Sequence, residues 1–353
     1  MTRPDPMQAL VQLQDGYAAA FDGPTVGNLT ELVALRRVPV PYPGPGQLLV
    51  KVAMSPVNPS DLLFVKGNYG QPRVRGAAAG FEGTGTIVAT GGTSVLLGRR
   101  VSFLASGSGA WAEYALTDPA SCVAVADGLR DDDAAALLVN PLTAVAMIDL
   151  AAEAGARAVM LTAAASQLGR MLIGLARERG IVPLAVVRRG TDEAALRALG
   201  APEVLVSTAN DFPGRLAAVL RVEKPRILLD AVGDQTSAGI FLAMPPHSRW
   251  ISYGILSATG PYLPDMRPFV FSDKRIEGFW LSRWLRAATP DARERAVTLA
   301  QQHFLDGEWH TPIAARVALD DAMSSLPAAL ARPGKVLLVP ATRSNDTEDR
   351  HRR

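Results

Sequence analysis

The sequence predicts an α/β protein with a β-rich domain at the front and a doubly wound parallel sheet behind it. Three observations carry this. From Asp131 onward, short and wholly apolar segments alternate with amphipathic ones, the pattern of strands buried on both faces and covered by helices. Before Asp131 the apolar runs are short and broken by glycine and proline, as in a small barrel or sandwich. After His310 the chain returns to a mixed pattern that packs back on the first domain.

In the front part, residues 47–52, 85–88 and 100–103 read as strands and residues 55–61 as a turn. In the alternating part, residues 156–162, 182–187, 204–207, 227–232 and 250–253 read as strands. Between them, residues 167–179, 192–199, 213–220 and 236–244 read as helices. Residues 314–319 form a further strand, 320–331 a helix and 335–339 a last strand. The expected domains are 1–130, 131–300 and a return segment 301–340, followed by a charged, polar tail at 341–353 that is expected to be disordered.

Composition narrows the function classes. The chain has 353 residues, 48% hydrophobic and 20% charged, enough for two separate cores. A formal net charge of +2 with scattered basic residues gives no general affinity for nucleic acid or acidic membranes. No apolar run approaches the roughly 18–20 residues that span a bilayer. The first residues lack a basic stretch followed by an apolar one, as a secretory signal requires. The single cysteine, Cys122, rules out an intrachain disulfide and suits a reducing compartment. These features predict a cytoplasmic protein.

A doubly wound sheet binds its ligand where the first strand turns into the first helix. That turn is Thr162-Ala163-Ala164-Ala165-Ser166-Gln167-Leu168-Gly169. Backbone N–H groups and the positive helix end there suit a pyrophosphate. Ala163 and Ser166 replace two of the usual glycines and Gly169 remains. Small residues still admit a phosphate, and Ser166 offers a hydroxyl donor. An ordinary strand–turn–helix fits this stretch equally well. At the end of the next strand stand Arg188 and Arg189, where an NAD site would carry an acid. Forked guanidinium donors suit a 2′-phosphate, so NADPH is the expected cofactor; the alternative is a solvated strand end.

Zinc is not expected. Catalytic zinc takes three protein ligands and structural zinc about four, whereas the chain has one Cys and 4 His, with no histidine before His247. No Cys/His cluster has ligand spacing, although counting leaves a carboxylate-rich site open.

Several segments resemble the medium-chain dehydrogenase/reductase superfamily. They are Asn58-Pro59-Ser60-Asp61, Gly67-Asn68-Tyr69-Gly70, Gly80-Phe81-Glu82-Gly83, the GAWAEY stretch at 109–114 and Asn140-Pro141-Leu142-Thr143-Ala144. Within the superfamily the likeness is to the enoyl thioester reductases. It rests on Asn68-Tyr69-Gly70, Val187-Arg188-Arg189, Ser252-Tyr253-Gly254 and the run from Gly278 to Trp284. Phe81 stands where zinc-dependent relatives carry a histidine. The resemblance implies a GroES-like catalytic domain plus a Rossmann domain, and a homodimer. It also implies that Tyr69 is the proton donor or substrate orienter. Cofactor contacts are implied at Asn140, Thr143, Ser166, Gln167, Leu168, Gly169, Arg188, Arg189, Tyr253, Gly254, Ile255, Leu256, Phe279, Trp280, Leu281 and Lys335. Gln167, where the family usually has glycine, and Pro245-Pro246-His247 depart from its pattern.

The implied chemistry is hydride transfer to the β-carbon of an α,β-unsaturated carbonyl, an enoyl thioester or enone, with donors at the carbonyl oxygen and a proton for the α-carbon. Tyr69, protonated at neutral pH, is a competent donor; the plainer alternative is ring packing. Asn58 is a turn former or a ligand-facing group, and Asp61 a turn former. Trp284 and Trp280 are pocket wall or core, and Glu82 supports the fold. An NADPH:quinone oxidoreductase shares the same features, and a non-catalytic NADPH-binding protein is a further alternative.

Overall fold

The structure is a computed structural model that describes residues 6–340, so the tail expected at 341–353 lies outside the described residues. The chain divides into two compact units. Of the described residues, one comprises 6–19, 26–136 and 310–340; the other comprises 20–25 and 137–309. The divisions fall a few residues beyond the expected 130 and 300. Residues 20–25 group with the second unit, which the sequence did not suggest.

The first unit opens with β1 (Met7–Gln12) and β2 (Val33–Val38), an antiparallel pair. It continues through β3 (Leu48–Val57), α1 (Pro59–Val65), β4 (Glu82–Thr90), β5 (Arg100–Leu104), β6 (Tyr114–Thr117), β7 (Cys122–Ala124) and α2 (Asp131–Ala135). The expected turn at 55–61 is corrected here: β3 runs on through Val57 and α1 begins two residues later. The prolines misled the reading. Pro59 occupies the first helical turn, where a missing N–H costs nothing. Pro56, within β3, offers its carbonyl to the indole N–H of fully buried Trp111.

The second unit runs α3 (Val139–Glu153), β8 (Ala158–Leu161), α4 (Gln167–Glu178), β9 (Val182–Val187), α5 (Glu193–Leu199), β10 (Glu203–Val206), α6 (Phe212–Glu223), β11 (Ile227–Asp230), α7 (Gln235–Ala243), β12 (Arg249–Ser252), α8 (Arg267–Ser272), β13 (Arg275–Gly278), α9 (Leu281–Ala287) and α10 (Pro290–Leu305). Its six strands are all parallel, in the order β10-β9-β8-β11-β12-β13. Numbered from β8, that order is 3-2-1-4-5-6, the dinucleotide-binding arrangement whose switch point lies between β8 and β11. Met160, Leu184, Leu205, Leu228 and Trp250 pack against Leu216 and Phe241 of the covering helices. The sequence reading named no element at α3, α8, β13, α9 or α10. α3 is apolar nearly all round and so shows no helical period. β13 is a charged edge strand that carries no apolar signal.

The chain then returns to the first unit as β14 (Ile313–Ala318), α11 (Ala322–Leu330) and β15 (Lys335–Val339). β15 pairs antiparallel with β3, completing a sheet in the order β14-β15-β3-β4-β5-β7, with β6 also on β3. Apolar clusters fill this unit, one around Trp111, Val57, Leu326 and Val336, another around Val50, Ile87 and Phe103, and a smaller one of Met7, Ala9, Val11 and Ala112. Among the described residues no helix is long and apolar enough to cross a membrane.

Candidate active site

In the first unit, the β3–α1 junction gathers buried charge. Asn58 caps α1: its backbone N–H donates to Asp61 Oδ2 at 2.7 Å, completing a capping box. The Phe81 N–H donates to the other carboxylate oxygen at 2.9 Å. The Asn58 side chain does more than cap. Its Nδ2 donates to Glu82 Oε1 at 2.8 Å and its Oδ1 accepts from Lys335 Nζ at 2.5 Å. Lys335, Asn58, Asp61 and Glu82 therefore form one buried group drawn from β15, the β3–α1 junction and β4.

Burial drives these ionisable groups toward their neutral forms. Desolvation, helped by the charge of Glu82, raises the Asp61 carboxyl to about 7 against the two N–H donors and Lys335. Desolvation also lowers the Lys335 ammonium, while Glu82 and Asp61 oppose it. Mutual attraction offsets the cost of burying each charge, so the cluster depends on every member being present.

Tyr69 follows directly from the end of α1. Gly67, at φ +78°, terminates the helix in a Schellman motif: its N–H bonds Phe64 O at 2.9 Å, and the Asn68 N–H bonds Leu63 O at 2.8 Å. The chain turns there and delivers Tyr69, half-buried, onto two phenylalanines. Its ring lies 4.8 Å from that of Phe81 and 6.5 Å from that of Phe64. The aromatic ring is thus fixed by packing, and Phe81 joins it to the backbone that carries Glu82.

In the second unit, the residues between β8 and α4 form the expected turn. Ala163 adopts φ +47°, the left-handed region in which a glycine would be unstrained. Ser166 caps α4, its Oγ accepting from the Gly169 N–H at 3.0 Å. The remaining glycine is required: a Cβ on Gly169 would meet the carbonyl oxygens of Ala164 and Ala163 at 2.6 and 2.7 Å. The turn therefore lies tight against the helix, with the N-terminal amides of a 12-residue helix behind it. Gln167 accepts from Asn140 Nδ2 at 3.1 Å. These residues fit a dinucleotide phosphate. Arg188 and Arg189 follow β9 and are both exposed.

Sequence reasoning missed Asp230, at the end of β11. It is fully buried and satisfied by five donors. Oδ1 accepts from Thr162 Oγ1 (2.5 Å), Ser237 Oγ (2.8 Å) and Val232 N (3.0 Å); Oδ2 accepts from Trp250 Nε1 (2.8 Å) and Gly233 N (3.0 Å). Asp230 thereby ties the ends of β8, β11 and β12 together at the switch point. The available signal was an acid ending a wholly apolar strand, Ile227–Asp230. Beside it, the Tyr253 hydroxyl is buried without a hydrogen-bond partner, and burial followed by the Asp230 charge raises it well above the usual phenol range.

The other expected contacts distribute as follows. Residues 253–257 run alongside the end of β11, with Tyr253 N bonding Asp230 O and Leu256 N bonding Ala231 O; Ile255 and Leu256 are exposed. Gly254 packs on the Ala231 backbone, where a Cβ would stand 2.8 Å from its carbonyl oxygen. Phe279 N bonds Ser252 O, and half-buried Trp280 precedes α9, with the Arg286 guanidinium 5.4 Å from its ring. Leu281 begins α9 and Trp284 lies on it, both half-buried. Leu168 is half-buried on the first turn of α4. Thr143 is buried in α3 and turns its hydroxyl back to Val139 O at 2.7 Å. Lys335 belongs to the charged group of the first unit.

Residues 44–127 match the alcohol dehydrogenase GroES-like domain. The mitochondrial enoyl acyl-carrier-protein reductase of Caenorhabditis elegans is 30% identical over 270 residues, which cover 73% of this chain and 75% of that protein. The chain belongs to the medium-chain dehydrogenase/reductase superfamily. It falls in the branch that holds the enoyl reductases and quinone oxidoreductases, a family of oxidoreductases. A Mesorhizobium loti protein provisionally named an NADPH:quinone reductase is 44% identical in its solved structure. The match has a TM-score of 0.91 and covers 96% of this chain and all of that one. A mycobacterial protein solved with NADPH, 23% identical, shares the fold with a TM-score of 0.76 over 95% of this chain and 100% of that one.

Proposed function

We propose that the protein is an NADPH-dependent, zinc-independent reductase of the carbon–carbon double bond of α,β-unsaturated carbonyl compounds, with enoyl thioesters as the substrate class. The observation that carries this reading is Tyr69: its ring is clamped on Phe81 and Phe64, and Phe81 immediately precedes Glu82 of the buried charged group. A protonated phenol held in this way is a fixed donor for a carbonyl oxygen that gains negative charge. NADPH, if held by the residues named below, would supply hydride to the β-carbon. Tyr69 orients the carbonyl and stabilises the developing oxyanion, and a proton then adds to the α-carbon to complete the saturated product. The helix N-terminus at Ser166–Gly169 would hold the pyrophosphate, and Arg188 with Arg189 the 2′-phosphate.

The quinone oxidoreductase reading is kept because of the 44% identity to the Mesorhizobium loti protein. The test is NADPH oxidation with a crotonyl thioester, a simple enone and a quinone measured in parallel. Thioester or enone turnover well above quinone turnover supports the proposal. Turnover of the quinone alone moves the activity to the second reading, and no turnover with NADPH bound leaves a nucleotide-binding protein.

NADPH preference rests on the arginine pair. Each charge-assisted bond to a phosphate contributes about 1.5–3 kcal/mol. The Arg188→Ala/Arg189→Ala double variant is therefore expected to bind NADPH about 10²–10⁴-fold more weakly and NADH nearly unchanged, as read by nucleotide titration. Equal losses for both nucleotides would remove the pair from 2′-phosphate recognition.

The homodimer is proposed on the open edge of β13. That strand ends its sheet with one side unpaired, and Ile276 on it and Val270 and Phe271 on α8 are exposed. A second copy satisfies both features. Sedimentation analysis is expected to give a dimer in the wild type and a shift toward monomer in Ile276→Lys; a wild-type monomer overturns this part.

A further inference from the structure

We propose that His303 and Glu178 form a divalent-cation site of the zinc class in the second unit, with Glu308 fixing the imidazole that serves it. His303 lies on the last turns of α10, Glu178 is the last residue of α4, and Glu308 follows α10. One ligand atom from each lies within 4.8 Å of those of the other two.

The distances separate two roles. His303 Nδ1 stands 2.5 Å from Glu308 Oε2, too close for both atoms to ligate one ion but right for an N–H donated to a carboxylate. That bond places the proton on Nδ1 and leaves Nε2 as a lone-pair donor, the usual outer support of a metal-bound histidine. Nε2 is buried and makes no hydrogen bond; Glu178 Oε2 is 3.5 Å away. A tetrahedral cation with bonds of about 2.0–2.2 Å holds neighbouring nitrogen and oxygen ligands about 3.3–3.5 Å apart. The separation of Nε2 from Glu178 therefore fits a shared cation better than a hydrogen bond.

The surroundings favour the same reading. The His303 ring is 95% buried and stacks on Trp309, with centroids 4.4 Å apart and planes 17° from parallel, so it cannot swing out of position. Two carboxylates face one imidazole, an excess of negative charge that a dication neutralises. The adjacent Arg179 is committed to Asp149 at 2.9 Å. Glu178 remains partly exposed, so water can complete the coordination shell. The site would clamp the ends of α4 and α10 to the segment before Trp309. It involves none of the residues assigned to the reaction.

The test is calorimetric titration of chelator-treated full-length protein with Zn²⁺, with thermal melting of the same samples. The wild type is expected to bind zinc at this site and to melt at higher temperature when zinc is present. His303→Gln and Glu178→Gln are expected to lose that binding and the thermal shift. Glu308→Gln, which removes only the outer support, is expected to weaken binding about 10–100-fold. Glu178 and Glu308 are exposed enough for their variants to fold, so they decide the matter should His303→Gln not fold. Zinc binding that is equal in wild type and Glu178→Gln, or absent from the wild type, overturns the proposal. The cluster is then a histidine packed between two carboxylates with no cation.

Discussion

Tyr69→Phe is expected to lower kcat/KM for an enoyl thioester by at least about 10²-fold, the usual scale for removing a positioned proton or hydrogen-bond donor. The substitution is unusually clean. The Tyr69 ring is held by Phe81 and Phe64, and phenylalanine keeps that packing while removing only the hydroxyl. Melting temperature and NADPH affinity should therefore stay within error of the wild type. Quinone turnover, in which the charge falls on an aromatic phenolate oxygen that needs less stabilisation than an enolate, should change less. A thioester rate within about threefold of wild type would show the tyrosine to be packing only, against the scale expected of a donor.

Lys335→Met is expected to cost about 3–5 kcal/mol of unfolding free energy at mildly alkaline pH, because it strands buried carboxylates without their cation. Asn58 Oδ1 would also lose its donor. The pH dependence identifies the cause. Asp61 is raised in the folded protein to about 7 from 3.8, so the folded state holds a proton that the unfolded chain has released. Stability from that proton is complete below about pH 4 and is lost as pH rises toward about 7. Lys335 opposes the raised carboxyl, so without it the loss should continue above pH 7 in the variant after the wild type has levelled from this source. Urea denaturation at several pH values reads both effects. A pH-independent loss would point to packing alone.

The chemistry of the site was partly legible because several of its residues are bound to local signals. Arg188 and Arg189 end an apolar strand and Ser166 sits at a helix start, whereas Tyr69 came from the family resemblance. Such signals depend on neighbours in the chain, and periodicity and capping rules read them directly. The groupings that the sequence did not disclose depend on distant partners. Asp230 matters because Thr162, Ser237 and Trp250 converge on it. Lys335 finds Asn58 across 277 residues, and His303 meets Glu178 only because α4 and α10 end side by side. Counting histidines gave no indication of that last group.

The sequence by itself determined the two classes of architecture, the strand–helix alternation and the nucleotide turn, since each follows from short-range hydrophobic pattern and backbone preference. It misread residues 55–61, where two prolines looked like a turn but one continues a strand and the other starts a helix. Tertiary structure alone decided the strand order that creates the switch point, the buried grouping of Asn58, Asp61, Glu82 and Lys335, and the five-donor seat of Asp230. The physical reason is common to all three. Burying a polar or charged side chain is unfavourable until its partners are present, and those partners are supplied by segments that only folding brings together.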